Sequence, residues 1–323
     1  MDIDKEPSVV GLGALNVDRI FRVERLLADG ESAIEEGGSF AGGSAANTIY
    51  GLARLGIATG FCGAVGDDAG GRLLLNDFKK AGTDTSRIII LPGVSSGTVF
   101  CLSAPRQRSL YVLAGANNSL SLADVDLSYI NQADYLHLSS FVDDAQFDLS
   151  QKIVERLSPK VKLSFSPGAL YAARGMQALR PILARTHIIF INRDEIEKLT
   201  REDFQKATGT CLKAGCKTVV VTLGKGKKDK GQTVAAYVRD SRNEWLIDAG
   251  KPSRVKIIDT TGAGDAFAAG FLFGMLGGRE LDTCGRLGHC AARLSLKCSG
   301  ARGGLPTRRQ LEQHFLTLYG ESH

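Results

Sequence analysis

Short apolar runs alternate with segments of helical apolar spacing along most of this 323-residue chain. Val9 to Leu15, Thr59 to Val65, Tyr135 to Leu138, Lys162 to Ser166, His187 to Ile191 and Thr218 to Thr222 predict buried strands. Between them, Ser44 to Leu55, Gly70 to Ala81, Asp148 to Leu157, Arg174 to Ala184 and Gln205 to Ala214 predict helices, because their apolar residues recur every three or four positions. Strands that are apolar throughout need cover on both faces, so the alternation predicts an α/β fold with a parallel sheet between two helical layers. Two stretches depart from the pattern. Asp18 to Phe40 and Val94 to Val112 alternate residue by residue, with glycines and charges but no helical period, and predict a small β-sheet projecting from the main body.

Chemistry concentrates in two glycine-rich segments. Asp259-Thr260-Thr261-Gly262-Ala263-Gly264-Asp265 runs into an apolar, alanine-rich stretch from Ala266 to Leu276, which reads as a helix N-terminus with a carboxylate beside it. Small residues at 262 to 264 let the backbone turn, and their N–H groups with the helix dipole form a site for an anionic oxygen such as a phosphate oxygen. Asp265 is placed to take a proton from a hydroxyl that attacks a phosphoryl group. Near the front, Ala41-Gly42-Gly43-Ser44-Ala45-Ala46-Asn47 combines two glycines that permit close backbone approach with an amide, Asn47, able to donate to and accept from a polyol.

These two elements resemble the paired signatures of the PfkB carbohydrate kinases, the ribokinase-like sugar and nucleoside kinases. Between them, Asn192-Arg193-Asp194-Glu195 is similar to the family's NxxE element and Val219 to Gly224 to its nucleotide-site strand and turn. The resemblance covers nearly the whole chain and implies one kinase domain over 1–323, of the ribokinase-like three-layer α/β/α fold with a mostly parallel central sheet. The projecting sheet, about 18–40 and 94–112, would be a lid that keeps water from the transferring phosphoryl group, with Gly37-Gly38 and Gly42-Gly43 as hinges. The expected reaction moves the γ-phosphate of ATP to a hydroxymethyl group, with Asp265 as base and Gly262, Ala263 and Gly264 as the anion hole.

The resemblance assigns the remaining residues. Asn16 and Asp18 would hold sugar hydroxyls together with Gly42, Gly43 and Asn47. Asn192 and Glu195 would act on phosphate and Mg²⁺, Glu195 through water; Thr222 and Gly224 would line the nucleotide, and His289 would pack near adenine. Asp259, Thr261, Ser295, Gly300 and Gly304 resemble the loops that hold an activating monovalent cation, K⁺, in some relatives. Two positions depart from the family pattern. Lys227 stands where a further glycine usually follows the nucleotide turn, and Ser44 stands where ribokinases and several sugar-phosphate kinases have lysine. The serine removes a cation that a phosphorylated sugar would use, so the expected acceptor is an unphosphorylated sugar, ribose- or fructose-like. Gly115-Ala116-Asn117-Asn118 also looks more like ribokinase than adenosine kinase. A ribonucleoside is the alternative acceptor, with Phe40, Phe100 and Tyr111 as candidate walls for a base.

Composition changes this picture little. A formal net charge of +5 suits an anionic nucleotide, but the Lys and Arg residues are not striped as a nucleic-acid surface would require. Lys225 to Lys230 reads as a solvated hairpin tip. The seven cysteines form no metal-spaced pair, and with no apolar run long enough to span a membrane and no secretory pattern at the N-terminus, a cytoplasmic enzyme is expected. Gly11-Leu12-Gly13 begins a dinucleotide fingerprint, but Asn16 occupies the third glycine position, and no GxxxxGK[ST] loop occurs. An exposed lid edge would pair two copies into a homodimer.

Overall fold

The computed structural model describes residues 6–105, 107–229, 232–250 and 257–320. Thirteen strands are found among them: β1 (Val9–Leu12), β2 (Asn16–Arg22), β3 (Glu35–Gly42), β4 (Thr59–Gly66), β5 (Ile88–Leu91), β6 (Gly97–Ala104), β7 (Gln107–Leu113), β8 (Tyr135–Ser139), β9 (Lys162–Ser166), β10 (Thr186–Asn192), β11 (Thr218–Asp229), β12 (Gln232–Asp240) and β13 (Glu244–Asp248). Nine form the main sheet in the order β13-β12-β11-β10-β9-β8-β1-β4-β5. From β11 to β5 every pairing is parallel, and β12 and β13 add an antiparallel extension at one edge.

Strand periodicity divides the core between the two faces of this sheet. Val10, Leu12, Leu163, Phe165, Ile189 and Val219 pack with Ile153, Leu179 and Leu183 from the helices Asp144–Glu155 and Gly175–Arg185. Their neighbours Val9, Ile188, Phe190 and Val220 pack on the opposite face with Ile49, Leu52, Phe267 and Phe271 from the helices Ser44–Arg54 and Ala263–Leu276. These central strands are therefore buried on both sides, as their apolar runs predict, and the molecule is a three-layer α/β/α structure.

The second sheet, order β3-β2-β6-β7, is the expected projecting sheet, with β2 parallel to β6 and the outer strands antiparallel to them. It begins earlier than its alternation suggested. The apolar run that predicted one strand from Val9 to Leu15 is split: β1 stops at Leu12, residues 13–15 cross between sheets, and β2 starts at Asn16. Ala14 and Leu15 remain buried in the crossing, which is why hydrophobicity alone did not mark the break. The strand expected to end at Thr222 continues to Asp229 and pairs antiparallel with β12, with a register shift between Thr222 and Lys227. Of the tip expected at Lys225 to Lys230, residues 225–229 belong to β11, and residue 230 lies outside the described residues. The edge strands β5 and β13, short and partly exposed, were not anticipated, nor was β12, where Val234, Ala236, Tyr237 and Val238 are buried.

Candidate active site

The front signature folds where three segments meet. At Gly43 φ is +100°, and a Cβ there would sit 2.1 Å from the Ala14 carbonyl oxygen, so only glycine lets the chain leave β3 and enter the Ser44–Arg54 helix. No side chain of that helix caps its first turn. Instead Ser139 Oγ, at the end of β8, accepts from the Ala45 N–H at 3.0 Å. One position earlier, a Cβ on Gly42 would lie 2.3 Å from Asp18 Oδ2, so the glycine makes room for the neighbouring carboxylate.

This helix start faces the other signature. Gly262, with φ +73°, is the left-handed residue before the helix Ala263–Leu276. In the first turn, Ala263 N–H bonds Thr260 O and Ala266 N–H bonds Gly262 O, while the amides of Gly264 and Asp265 have no partner among the described residues. Gly264 is exposed, with no atom within 4 Å of where its Cβ would be, so an anionic group has access to these amides.

Asp265 is gripped from the front signature. Ser44 Oγ donates to Asp265 Oδ1 at 2.7 Å, and Asn47 Nδ2 donates to Oδ2 at 2.8 Å. Burial pushes this carboxyl up to about 6; the two hydrogen bonds and the Arg302 charge oppose that rise, and the Glu195 charge adds to it. Asp18, on β2, is pushed up to about 7, chiefly by burial, with the Asp265 and Asp259 charges adding and Arg302 and Arg108 opposing. A base near 6 is ionised at neutral pH yet retains proton affinity, which suits it to accept a hydroxyl proton.

Both carboxylates line a cavity of about 260 Å³ together with Asn16, Gly43, Ser44 and Asn47. Its floor is the Asp265 turn, and its roof is strands β6 and β7 of the second sheet. Asn16 is fixed by the buried Asn117, whose Nδ2 donates to Asn16 Oδ1, Leu15 O and Ala114 O while its Oδ1 accepts from Leu15 N–H. From β7, Arg108 Nη1 donates to Thr261 Oγ1 at 2.7 Å, tying the second sheet to the Gly262 turn.

The nucleotide-side elements stand at the carboxyl ends of adjacent strands, with Asn192 opposite Thr222 across β10 and β11. Asn192 and Glu195 form a reciprocal cap: Asn192 Oδ1 accepts from Glu195 N–H, and Glu195 Oε2 accepts from Asn192 N–H. Burial raises the Glu195 carboxyl. Gly224 takes φ +56° just past Thr222.

The expected cation loops are held together by the acid itself. Asp259 Oδ1 accepts from the amide and hydroxyl of Thr261, and Oδ2 accepts from Gly300 N–H. Ser295 Oγ bonds Ala292 O, and a Cβ on Gly304 would lie 2.7 Å from the Ser295 carbonyl oxygen. No cluster of three His, Cys, Asp or Glu side chains suited to a metal is found among the described residues. His289 is buried on the Leu281–Ser295 helix, its Nδ1 2.8 Å from Tyr319 OH, which donates to Asp248 O.

Matching the whole constellation, the pfkB family carbohydrate kinase pattern fits residues 6–308. The chain belongs to the PfkB family. An uncharacterized sugar kinase of Archaeoglobus fulgidus is 38% identical over 259 residues, covering 79% of this chain and 98% of its own. A ribokinase of Haemophilus influenzae is 29% identical over 93% of this chain and 95% of its own. The structure of Arabidopsis thaliana ribokinase complexed with ribose and ATP superposes with a TM-score of 0.79 at 25% identity, covering 96% of this chain and 99% of that one. Carbohydrate kinases of the PfkB family are phosphotransferases with an alcohol acceptor, and the chain is an enzyme of that class.

Three residues of the site went unread in the sequence. Ser44 was noted only for the lysine it replaces, yet it holds Asp265. Arg108 and Arg302 gave no motif; the one signal for Arg302 was a single cation among small residues in Gly300-Ala301-Arg302-Gly303-Gly304. Two of the three candidate aromatic walls fail for a periodic reason. Val99, Cys101, Leu110 and Val112 face the cavity, so Phe100 and Tyr111, which alternate with them, face away. Phe100 stacks on Phe21, and the Phe40 ring lies against Gly300.

Proposed function

We propose that this kinase transfers the γ-phosphate of ATP to the hydroxymethyl group of a small unphosphorylated sugar, ribose- or fructose-like. The observation that carries the reading is the carboxylate pair in one cavity, Asp18 for acceptor hydroxyls and Asp265 for the reacting one, with open helix-start amides beside Asp265. Asn16, Asp18 and Asn47 hold the acceptor so that its primary hydroxyl meets Asp265, which takes the proton as the oxygen attacks phosphorus. The Gly262–Gly264 turn and the amides of Gly264 and Asp265 stabilise charge on the transferring group. The lid, latched by Arg108 to Thr261, excludes water. When bound, Mg²⁺ would neutralise phosphate charge; Glu195, with Oε1 outside its capping bond, and Asn192 would hold it through water. The Asp259–Thr261 and Gly300 loops would carry an activating K⁺, and Thr222, Gly224 and His289 the nucleotide.

The test is ADP release with ATP, Mg²⁺ and K⁺ against free sugars, sugar phosphates and nucleosides. Turnover on a free pentose or hexose supports the reading, and turnover restricted to sugar phosphates overturns it. A ribonucleoside acceptor is the second reading, favoured by the aliphatic wall of Val99, Leu110, Val112, Val142 and Leu170, against which a base would pack. We further place this enzyme in the cytoplasm, in line with seven free cysteines and with no helix among the described residues long and apolar enough to cross a membrane. Edge strand β7, with Tyr111 58% and Leu113 53% exposed, would pair two copies through their lids.

A further inference from the structure

Arg302 occupies a position that none of the chemistry above requires, and its surroundings are those of a built device. It is only 8% exposed. Its guanidinium divides three hydrogen bonds among three elements: Nε to Asn47 Oδ1 at 3.0 Å, Nη2 to Gly42 O at 3.0 Å, and Nη1 to Asp77 Oδ2 at 2.8 Å. The Phe78 and Tyr50 rings lie 4.9 and 5.3 Å from its Cζ. The Nε bond decides which way the Asn47 amide faces. With Oδ1 engaged by Arg302, Nδ2 turns toward Asp265; the flipped amide would set donor against donor at Arg302 and acceptor against carboxylate at Asp265.

We propose that Arg302 is a positioning residue for phosphoryl transfer, acting through Asn47 to aim the amide that holds the Asp265 carboxylate and through the Gly42 carbonyl to fix the turn beside Asp18. The assignment rests on the functional reading of Asp265 given above. The Arg302 charge also opposes the rise of both carboxyls; the other charges facing them are Glu195 at Asp265, and Asp265, Arg108 and Asp259 at Asp18.

Two substitutions separate positioning from packing. Arg302→Lys keeps a charge for Asp77 but lacks the fork that reaches Asn47 and Gly42 together. Asp77→Asn removes the ion pair on the far side and leaves the Asn47 bond in place. With D-ribose, D-fructose and adenosine as acceptors at saturating ATP and Mg²⁺, Arg302→Lys is expected to lower kcat about tenfold or more, a loss typical of misaligned reacting groups. In an Asn47→Ala background the same change is expected to cost less than about twofold, because residues acting as a unit are not additive. Asp77→Asn is expected to lower the melting temperature while leaving kcat within about twofold of the parent. Equal loss of kcat on lysine substitution in both backgrounds, or a loss in Asp77→Asn matching that of Arg302→Lys, overturns the proposal. The Asn47 side-chain amide, assigned in ¹⁵N spectra by its absence from Asn47→Ala, gives a readout independent of turnover. Its two Nδ2 protons, slow to exchange in the parent, should exchange with solvent faster and shift toward free-amide positions in folded Arg302→Lys, and unchanged exchange and shifts refute the assignment. If the parent turns over none of the three acceptors, the functional reading fails while the amide still decides the role of Arg302.

Discussion

Replacing Asp265 with Asn separates the chemical role of this side chain from its structural cost. The amide fits the same space. Its Oδ1 can accept from Asn47 Nδ2, as the carboxylate Oδ2 does, and its Nδ2 then faces Ser44, whose hydroxyl rotates from donor to acceptor. What disappears is the charge. In the folded chain the carboxyl titrates at about 6 against 3.8 unperturbed. That gap of roughly two units makes ionised Asp265 cost about 3 kcal/mol of stability. The direction follows from proton affinity: a raised pKa favours the folded state while the group is protonated, so this stability is present below pH 3.8 and is lost as pH rises to about 6. Asn carries no such loss, and the hydrogen bonds that Ser44 and Asn47 give the carboxylate are already counted in that gap. Asp265→Asn should therefore melt a few degrees above the parent at pH 8, with that advantage gone at pH 4, while kcat falls by about 10²–10⁴ for want of a base. Paired thermal melts at the two pH values and an ADP-release assay read both effects. A variant that keeps more than about a tenth of parental kcat, or melts below the parent at pH 8, would refute the assignment of Asp265 as a buried base.

Three further outcomes follow from the same geometry. With Asp265 near 6 and Asp18 near 7, kcat should fall as pH drops through 6, while the KM for acceptor should rise already below 7, because a protonated Asp18 accepts fewer hydroxyls; a pH-independent KM between 5.5 and 8 counts against Asp18 as an acceptor contact. Gly43→Ala should destabilise the fold by more than about 3 kcal/mol, read by urea unfolding, since it meets both a φ of +100° and a 2.1 Å approach to a backbone oxygen; an unchanged midpoint would contradict the turn described. Asn117→Ala removes four hydrogen bonds at a buried amide and should cost about 2–4 kcal/mol while raising the acceptor KM by freeing Asn16; an unaltered KM would detach Asn16 from acceptor binding.

The sequence showed the main sheet readily because parallel strands buried on both faces write themselves as uninterrupted apolar runs, as at Thr59–Gly66 and Tyr135–Ser139. It missed β5 and β13, whose partly exposed residues carry no comparable signal, and it also missed β12, although Val234, Ala236, Tyr237 and Val238 are buried there. The same limit placed one strand across residues 13–15. Burial there comes from two sheets meeting, and hydrophobicity records burial without naming the neighbour.

Local requirements were legible in the chain itself: glycine at 43 and 262 for positive φ, an acid at the start of an alanine-rich helix, and an Asn192–Glu195 spacing that closes a reciprocal cap. Each is a contract between residues a few positions apart, so order along the chain suffices to read it. The site depended on distances that order does not encode. Asp265 meets Ser44 across 221 residues, and Arg302 meets Asn47 across 255 and Gly42 across 260. Only the tertiary fold, by packing two helix starts against each other and threading the C-terminal loop beneath them, decided that a serine would bond Asp265 and that a buried arginine would bond the amide beside it.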